Sequence, residues 1–518
     1  MPSSTPFKFP SWATWLCVAA IAIGIGLRLW RITANEFLFY DEGMYLSQNR
    51  SFLELIAANP PHNIQEFGII LGLLFKAALS TPKALWFFLL NLRVFITGPE
   101  AWAFARVVSA TAGIATIVLT YLFARRYFQS TAVGLLSAAI LSLLPSHVFY
   151  SRLGMQESLS ALLFLGGISL YVFSGKGVSW RSCISAVCMS AVFFTNYRMI
   201  VAPVFIVMAQ LCLANVDLRK FDARKFTWFL VVFFGLIFGF GALYGGANTY
   251  VNFAWMFHQA DESQSYRHWT NLASFPYYFF VLEGVVFGLL FFANSYFLLR
   301  RNWPVLLPFV LSITQMLIFS FAAEKGARYL CVVLPFAAMA AAYALTWACQ
   351  RYTARAPLLY ALTAAMFLNL LWYSFELARA RTDYGKAVSL VLAHDPAAKI
   401  LSTQPVVESL FLSNEKNIAG YPVDPNQLAA LVSQGYRYLI LDPQVYISWT
   451  ADGSRFTAPL TPTLEAVKGH LKPVAVLPHI NGVLLKRFVL DHNQDLMTSL
   501  KFLANPQGKG EIYIYELR

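Results

Sequence analysis

Asp41 and Glu42 stand side by side in FLFYDEGMYL, residues 37–46, directly after an apolar segment, in a chain of which only 13% is charged. An ionisable residue at the edge of an apolar segment either anchors it or belongs to a site. Such residues recur at comparable edges: Arg28 and Arg31 before the acidic pair, Arg106 at the start of the second apolar segment, Arg152 and Glu157 in SRLGMQE, Arg198 in TNYRM, and Glu324, Lys325 and Arg328 in EKGARYL. They are too many for anchors. Acids and bases drawn from separate segments to one level are what a site for an anionic ligand requires.

What must bring them to one level is a set of membrane-spanning helices. Of 518 residues, 58% are hydrophobic and 16% aromatic, and the mean hydropathy is +0.55. Those values place the chain in a lipid bilayer rather than in water. The net charge of +13 is then a matter of membrane topology. No basic run is long enough to track a nucleic-acid backbone, so nucleic acid is excluded as a partner. The six cysteines lie in or beside apolar stretches at spacings that match no zinc pattern, and read as small buried hydrophobes.

Apolar helices are expected near 11–30, 101–124, 131–149, 155–174, 180–195, 198–215, 226–245, 273–299, 304–322, 328–346 and 357–377. The first follows one basic residue, Lys8, and lacks a small-residue cleavage site after it, so it is expected to remain as a span. Every second connection is short and basic: Arg125-Arg126, Lys176 with Arg181, DLRKFDARK at 217–225, Arg300-Arg301, and Arg351 with Arg355. By the positive-inside rule these face the cytoplasm, which puts 31–100, 150–154, the turn near 196, 246–272, 323–327 and everything after 378 outside. Two apolar pieces within 66–97 are interrupted by Lys76, Lys83 and Arg93 and are short for spans, so helices lying in the membrane interface are expected there.

After residue 378 the pattern changes. AKILST, NIAGY, YRYLILDP, PVAVLPHI and GEIYIYEL read as strands, and QPVVESLFL, DPNQLAALVSQG and TPTLEAVKGHL as helices between them. The expected organisation is therefore a mostly α polytopic bundle over 1–378 and a small external α/β domain with a largely parallel sheet over 379–518. This domain carries no catalytic motif and reads as a structural or acceptor-positioning cap. The loop HQADESQSYRH holds His258, Asp261, Glu262 and His268, but its spacings fit no metal-ligand pattern, so no metal site is assigned.

Taken in order, DEGMY after the first span, YLFARRYF along the second, PSHVFYSRLGMQESL, TNYRMIVAP and EKGARYLCVVLP resemble the GT-C glycosyltransferases. The resemblance is nearest to the branch of protein O-mannosyltransferases and lipid A aminoarabinose transferases. It covers roughly residues 11–377, and the C-terminal domain is similar to the periplasmic domain that follows the bundle in many of these proteins.

The resemblance implies transfer of a sugar from a polyprenyl-phosphate donor to an acceptor outside the membrane, with inversion, in a bacterial plasma (inner) membrane with the site on the periplasmic side. Such a reaction needs a carboxylate to take the acceptor's proton and cations around the departing lipid phosphate. The resemblance assigns the base to Asp41, with Glu42 orienting it or binding the acceptor. It assigns the donor phosphate to Arg198, Lys325 and Arg328, and the second acidic position to Glu157. Arg28, Arg106 and Arg152 are supporting residues. No cofactor is required; a divalent cation is left open, without ligands. Where aminoarabinose transferases carry a Lys-Pro-Pro run, this chain has NPPHNIQEFG, so the sugar and the acceptor stay unassigned. The alternative class is a transporter or flippase of a lipid-linked or anionic solute, which would place ionisable residues at mid-membrane and show internal repeats. Here they cluster at one face and no repeat is visible.

Overall fold

The computed structural model describes residues 10–33, 40–98, 102–244, 272–320, 326–380, 382–422, 425–442, 448–449, 455–456, 471–479 and 510–517. The chain divides into two compact units, one of residues 1–32 and 54–378, the other of residues 33–53 and 379–518.

The first unit is a helical bundle. Each of the eleven apolar segments is helical, but their lengths differ in a way that composition does not reveal. Among the described residues Ser11–Leu29, Ala103–Tyr127, Ala223–Ala242, Trp303–Ser320 and Thr353–Ala378 are each long and apolar enough to cross a membrane. Thr131–Leu143 and Pro145–Arg152 meet the same test together, bent by 59°. Leu144, between them, precedes proline, which disfavours helical backbone and holds it extended at φ −61° and ψ 120°. The expected spans at 155–174, 180–195 and 198–215 appear as Glu157–Val172, Trp180–Thr195 and Ala202–Leu213, and the segment 273–299 is broken into Ser274–Val281, Val285–Phe292 and Ser295–Leu299. In the stretch 66–97 the helices are Ile64–Leu79, Ala84–Asn91 and Arg93–Ile96.

Small residues let the helices approach. Ser11–Leu29 packs on Thr131–Leu143, where a side chain at Gly24 would collide with the Ser142 backbone, and the Ser142 hydroxyl donates to Ala20 O at 3.1 Å. Conversely Trp15, Leu16, Leu362, Leu368 and Trp372 are exposed on outer helices, as side chains that face lipid should be. The chain is an integral membrane protein.

The second unit is built on a five-stranded sheet in the order β2-β1-β3-β7-β6, with β1 Lys399–Ser402, β2 Ile418–Gly420, β3 Tyr436–Leu441, β6 Ala475–His479 and β7 Gly510–Glu516. A separate short pair joins β4 Ser448–Trp449 to β5 Arg455–Phe456. β1 runs parallel to β2 and β3, but β7 is antiparallel to both β3 and β6, so the sheet is mixed rather than largely parallel. The helices at 405–408 and 425–433 fall where expected, while most of TPTLEAVKGHL lies outside the described residues. Leu401, Leu439, Leu441, Tyr421 and Tyr515 form the core of this unit.

Candidate active site

In the bundle, Arg198 and Arg328 sit where helices break. Backbone that leaves the helix at membrane depth must have its polar groups buried in protein or turned to a cavity, so breaks in spans mark sites more often than continuous turns do. Asn196 ends Trp180–Thr195 in extended backbone, and its side chain accepts from the Arg198 amide at 3.3 Å, starting the 3-10 turn Tyr197–Val201 that carries Arg198. Arg328 lies in a second 3-10 turn, Ala327–Leu330.

Tyr329 brings these two turns together. The Arg198 guanidinium lies 4.8 Å from its ring centroid and 5.2 Å from that of Tyr197. The Arg328 guanidinium lies 5.2 Å from the Tyr329 ring and donates through Nη2 to the phenol oxygen at 3.2 Å. Gln315 fixes the turn by donating to Tyr329 O at 2.7 Å. Two arginines on one ring are a concentrated positive field with planar, fork-shaped donors suited to phosphate.

Acids lie in the same neighbourhood. Glu157 is buried at the first position of Glu157–Val172 and accepts from Gln156 Nε2 at 3.0 Å. Its charge, that of Arg328 and that of Glu283 are all felt at the Cys331 thiol. Glu283 was not singled out from sequence. It is 1% exposed, bonded to Ser146, and has an Oε2 without a hydrogen-bond partner. It occupies the break between Val281 and Val285 beside Gly284, whose φ of +96° favours glycine. The signal was present as one acid inside the apolar run 273–299.

The supporting arginines form a second group. Arg28, Arg152 and Arg106 are near enough to repel in sequence, Arg152 with Arg28 and Arg106 with Arg152. Their donors go to backbone carbonyls, most of them at the C-terminal ends of helices, which lack partners within the helix and carry partial negative charge. Arg28 donates to Gly24 O and Ser142 O, each at 2.7 Å. Arg152 donates to Leu27 O, to Trp30 O at 2.9 Å and to Ala378 O at 3.2 Å, and Arg106 to Ile32 O at 3.5 Å. Arg28 also donates to His147 Nδ1 at 2.6 Å, so that nitrogen is the unprotonated one. His147, in the quoted PSHVFYSR run but given no role, is thereby locked to the first helix. These contacts tie helix ends together.

Asp41 and Glu42 belong to the other unit. They occupy the first turn of the helix Tyr40–Ser47, where the helix N-terminus favours negative charge, and are 7% and 0% exposed. Lys325 and Glu324, and His258, Asp261, Glu262 and His268, lie outside the described residues. Among the described residues no three His, Cys, Asp or Glu side chains are grouped as metal ligands would be.

No family model matches this sequence. No curated protein sequence matches it either. Solved structures do match. The apo oligosaccharyltransferase from Archaeoglobus fulgidus is 10% identical, with a TM-score of 0.56 over 98% of this chain and 88% of that one. Apo ArnT from Cupriavidus metallidurans is 12% identical, with a TM-score of 0.56 over 98% of each chain. The same protein bound to undecaprenyl phosphate is 12% identical and scores 0.55 over 97% and 98%. With the bundle, the broken helices and the C-terminal α/β unit all lying within that shared length, the chain has the GT-C fold, as ArnT and the archaeal oligosaccharyltransferase do.

Proposed function

We propose that this chain is a membrane glycosyltransferase that moves a sugar from a polyprenyl-phosphate donor to an acceptor at the outer face of the membrane, with inversion at the anomeric carbon. The observation that carries the reading is the meeting of Arg198 and Arg328 on Tyr329, in two helix breaks beside the buried Glu157. It is supported by the fold shared with ArnT, which has been crystallised with undecaprenyl phosphate.

In this reading Arg198 and Arg328, with Lys325, hold the donor phosphate and offset the charge that develops on it as the glycosidic bond breaks. Asp41 takes the proton of the acceptor as it attacks the anomeric carbon, and Glu42 orients Asp41 or the acceptor. The leaving group is the polyprenyl phosphate and the product is the glycosylated acceptor.

The test is transfer from a polyprenyl-phosphate sugar in membranes, read beside binding of undecaprenyl phosphate. Asp41→Asn keeps shape and hydrogen bonding but cannot accept the proton, so transfer falls by about two to four powers of ten while binding persists. Full activity in Asp41→Asn would remove the base. Movement of an intact lipid-linked solute across the membrane, with no bond broken, would replace the reading with transport.

A further inference from the structure

The helix that carries Asp41 is eight residues long, Tyr40–Ser47. A helix so short is not stable alone in water, so its position comes from what it packs on. It packs on Pro405–Glu408 and on the following turn Ser409–Phe411, more than 350 residues further along the chain. The contact is close at Gly43: a Cβ there would lie 2.8 Å from Val407 Cγ2 and 3.2 Å from Val407 Cα. Val407 is fully buried. Arg50, at the start of the next helix, reaches the same segment, donating to Ser409 O at 3.4 Å and Leu412 O at 3.5 Å.

The segment under the helix is itself fixed to the sheet. It follows β1 through Ser402, Thr403 and Gln404. The Ser402 hydroxyl accepts from the Gln404 amide at 2.7 Å, the Thr403 amide donates to Ile440 O at 3.2 Å, and the Asp442 amide donates to the Thr403 hydroxyl at 3.0 Å. Rigid links therefore run from the parallel strands β1 and β3 to the turn of helix that holds Asp41 and Glu42.

We propose that the C-terminal domain sets the position of Asp41 for proton abstraction, with Gly43 and Val407 as the positioning residues. This makes the domain part of the catalytic apparatus rather than only an external cap. The inference rests on Asp41 being the base. A shift of about 1 Å at a reacting group can cost about 100-fold in rate, whereas the residues that hold the donor phosphate lie in the other unit.

The experiment measures kcat and donor KM for the full-length protein, per amount of folded enzyme. Gly43→Ala should lower kcat by about 10- to 100-fold with donor KM changed by less than about twofold. Gly43→Ala with Val407→Ala should recover part of that loss, because the nearest colliding atom, Val407 Cγ2, is removed while Cα and Cβ stay. If Gly43→Ala does not fold, Arg50→Met gives a smaller kcat loss in the same direction. In an Asp41→Asn background, Gly43→Ala should add nothing. A rise in KM alone, or no recovery in the double variant, overturns the positioning role and leaves the base untouched. Full activity of Asp41→Asn overturns the base instead, whatever Gly43→Ala does.

Discussion

At the scale of single residues the sharpest test outside the acidic pair is Tyr329. Its ring faces two guanidiniums, and its hydroxyl accepts from one of them. Each cation–π contact is worth roughly 0.5–2 kcal/mol, and losing the ring removes one such contact from each arginine, Arg198 keeping its contact with Tyr197. Tyr329→Ala should therefore weaken undecaprenyl-phosphate binding by about 10- to 100-fold, measured by titration calorimetry in detergent. Tyr329→Phe keeps the ring and removes one hydrogen bond, and should cost less than about tenfold. Arg198→Lys should recover only part of what Arg198→Ala loses in the same assay, since a point charge replaces a fork. The sequence named both arginines because a charge beside an apolar run is conspicuous. It did not name Tyr329, because a tyrosine in a chain with 25 of them carries no signal until its neighbours are known.

At the scale of elements, the end of Pro405–Glu408 carries an acid that should make the C-terminal unit sensitive to pH. Glu408 is fully buried, with neither carboxylate oxygen in hydrogen-bond geometry with a partner. Burial holds its carboxyl well above the ordinary carboxylate range; the nearby Ser402 hydroxyl opposes this and the charge of Asp442 adds to it. Asp442 is meanwhile bound by the Tyr384 hydroxyl at 2.7 Å. A raised folded-state pKa means that the protonated form is favoured by folding. Its stabilisation is full below the usual carboxylate range and is lost as pH rises through the raised value, at up to about 1.4 kcal/mol per pH unit. Proteolysis or hydrogen exchange of the C-terminal unit in the full-length protein should show opening that increases with pH, and Glu408→Gln should flatten that dependence. An unchanged slope in Glu408→Gln would assign the effect elsewhere. The strand segments themselves were legible, since short β-branched and aromatic runs have few alternatives. The antiparallel β7 was not, because alternation says nothing about which neighbour a strand will pair with or in which direction.

At the scale of the whole molecule the charges of the loops make a prediction that needs no side-chain geometry. Reporter fusions after Arg126 and after Arg381 should report opposite sides of the membrane, the first cytoplasmic. Agreement between the two would remove the outer-face placement of Asp41. What the sequence by itself determined was the solvent, the helical segments, the change of pattern after residue 378 and the residues able to do charge chemistry. These follow from hydropathy and periodicity, which are properties of local runs. Only the tertiary structure decided that apolar segments break at Leu144 and Gly284, that Arg198 and Arg328 share one ring, and that the helix of Asp41 packs on residues 405–411. The physical reason is the same in each case. A break is stable only when the polar backbone it frees is satisfied by other parts of the chain. A short helix takes its place from the surface it packs on. Neither partner is written in the residues that need it.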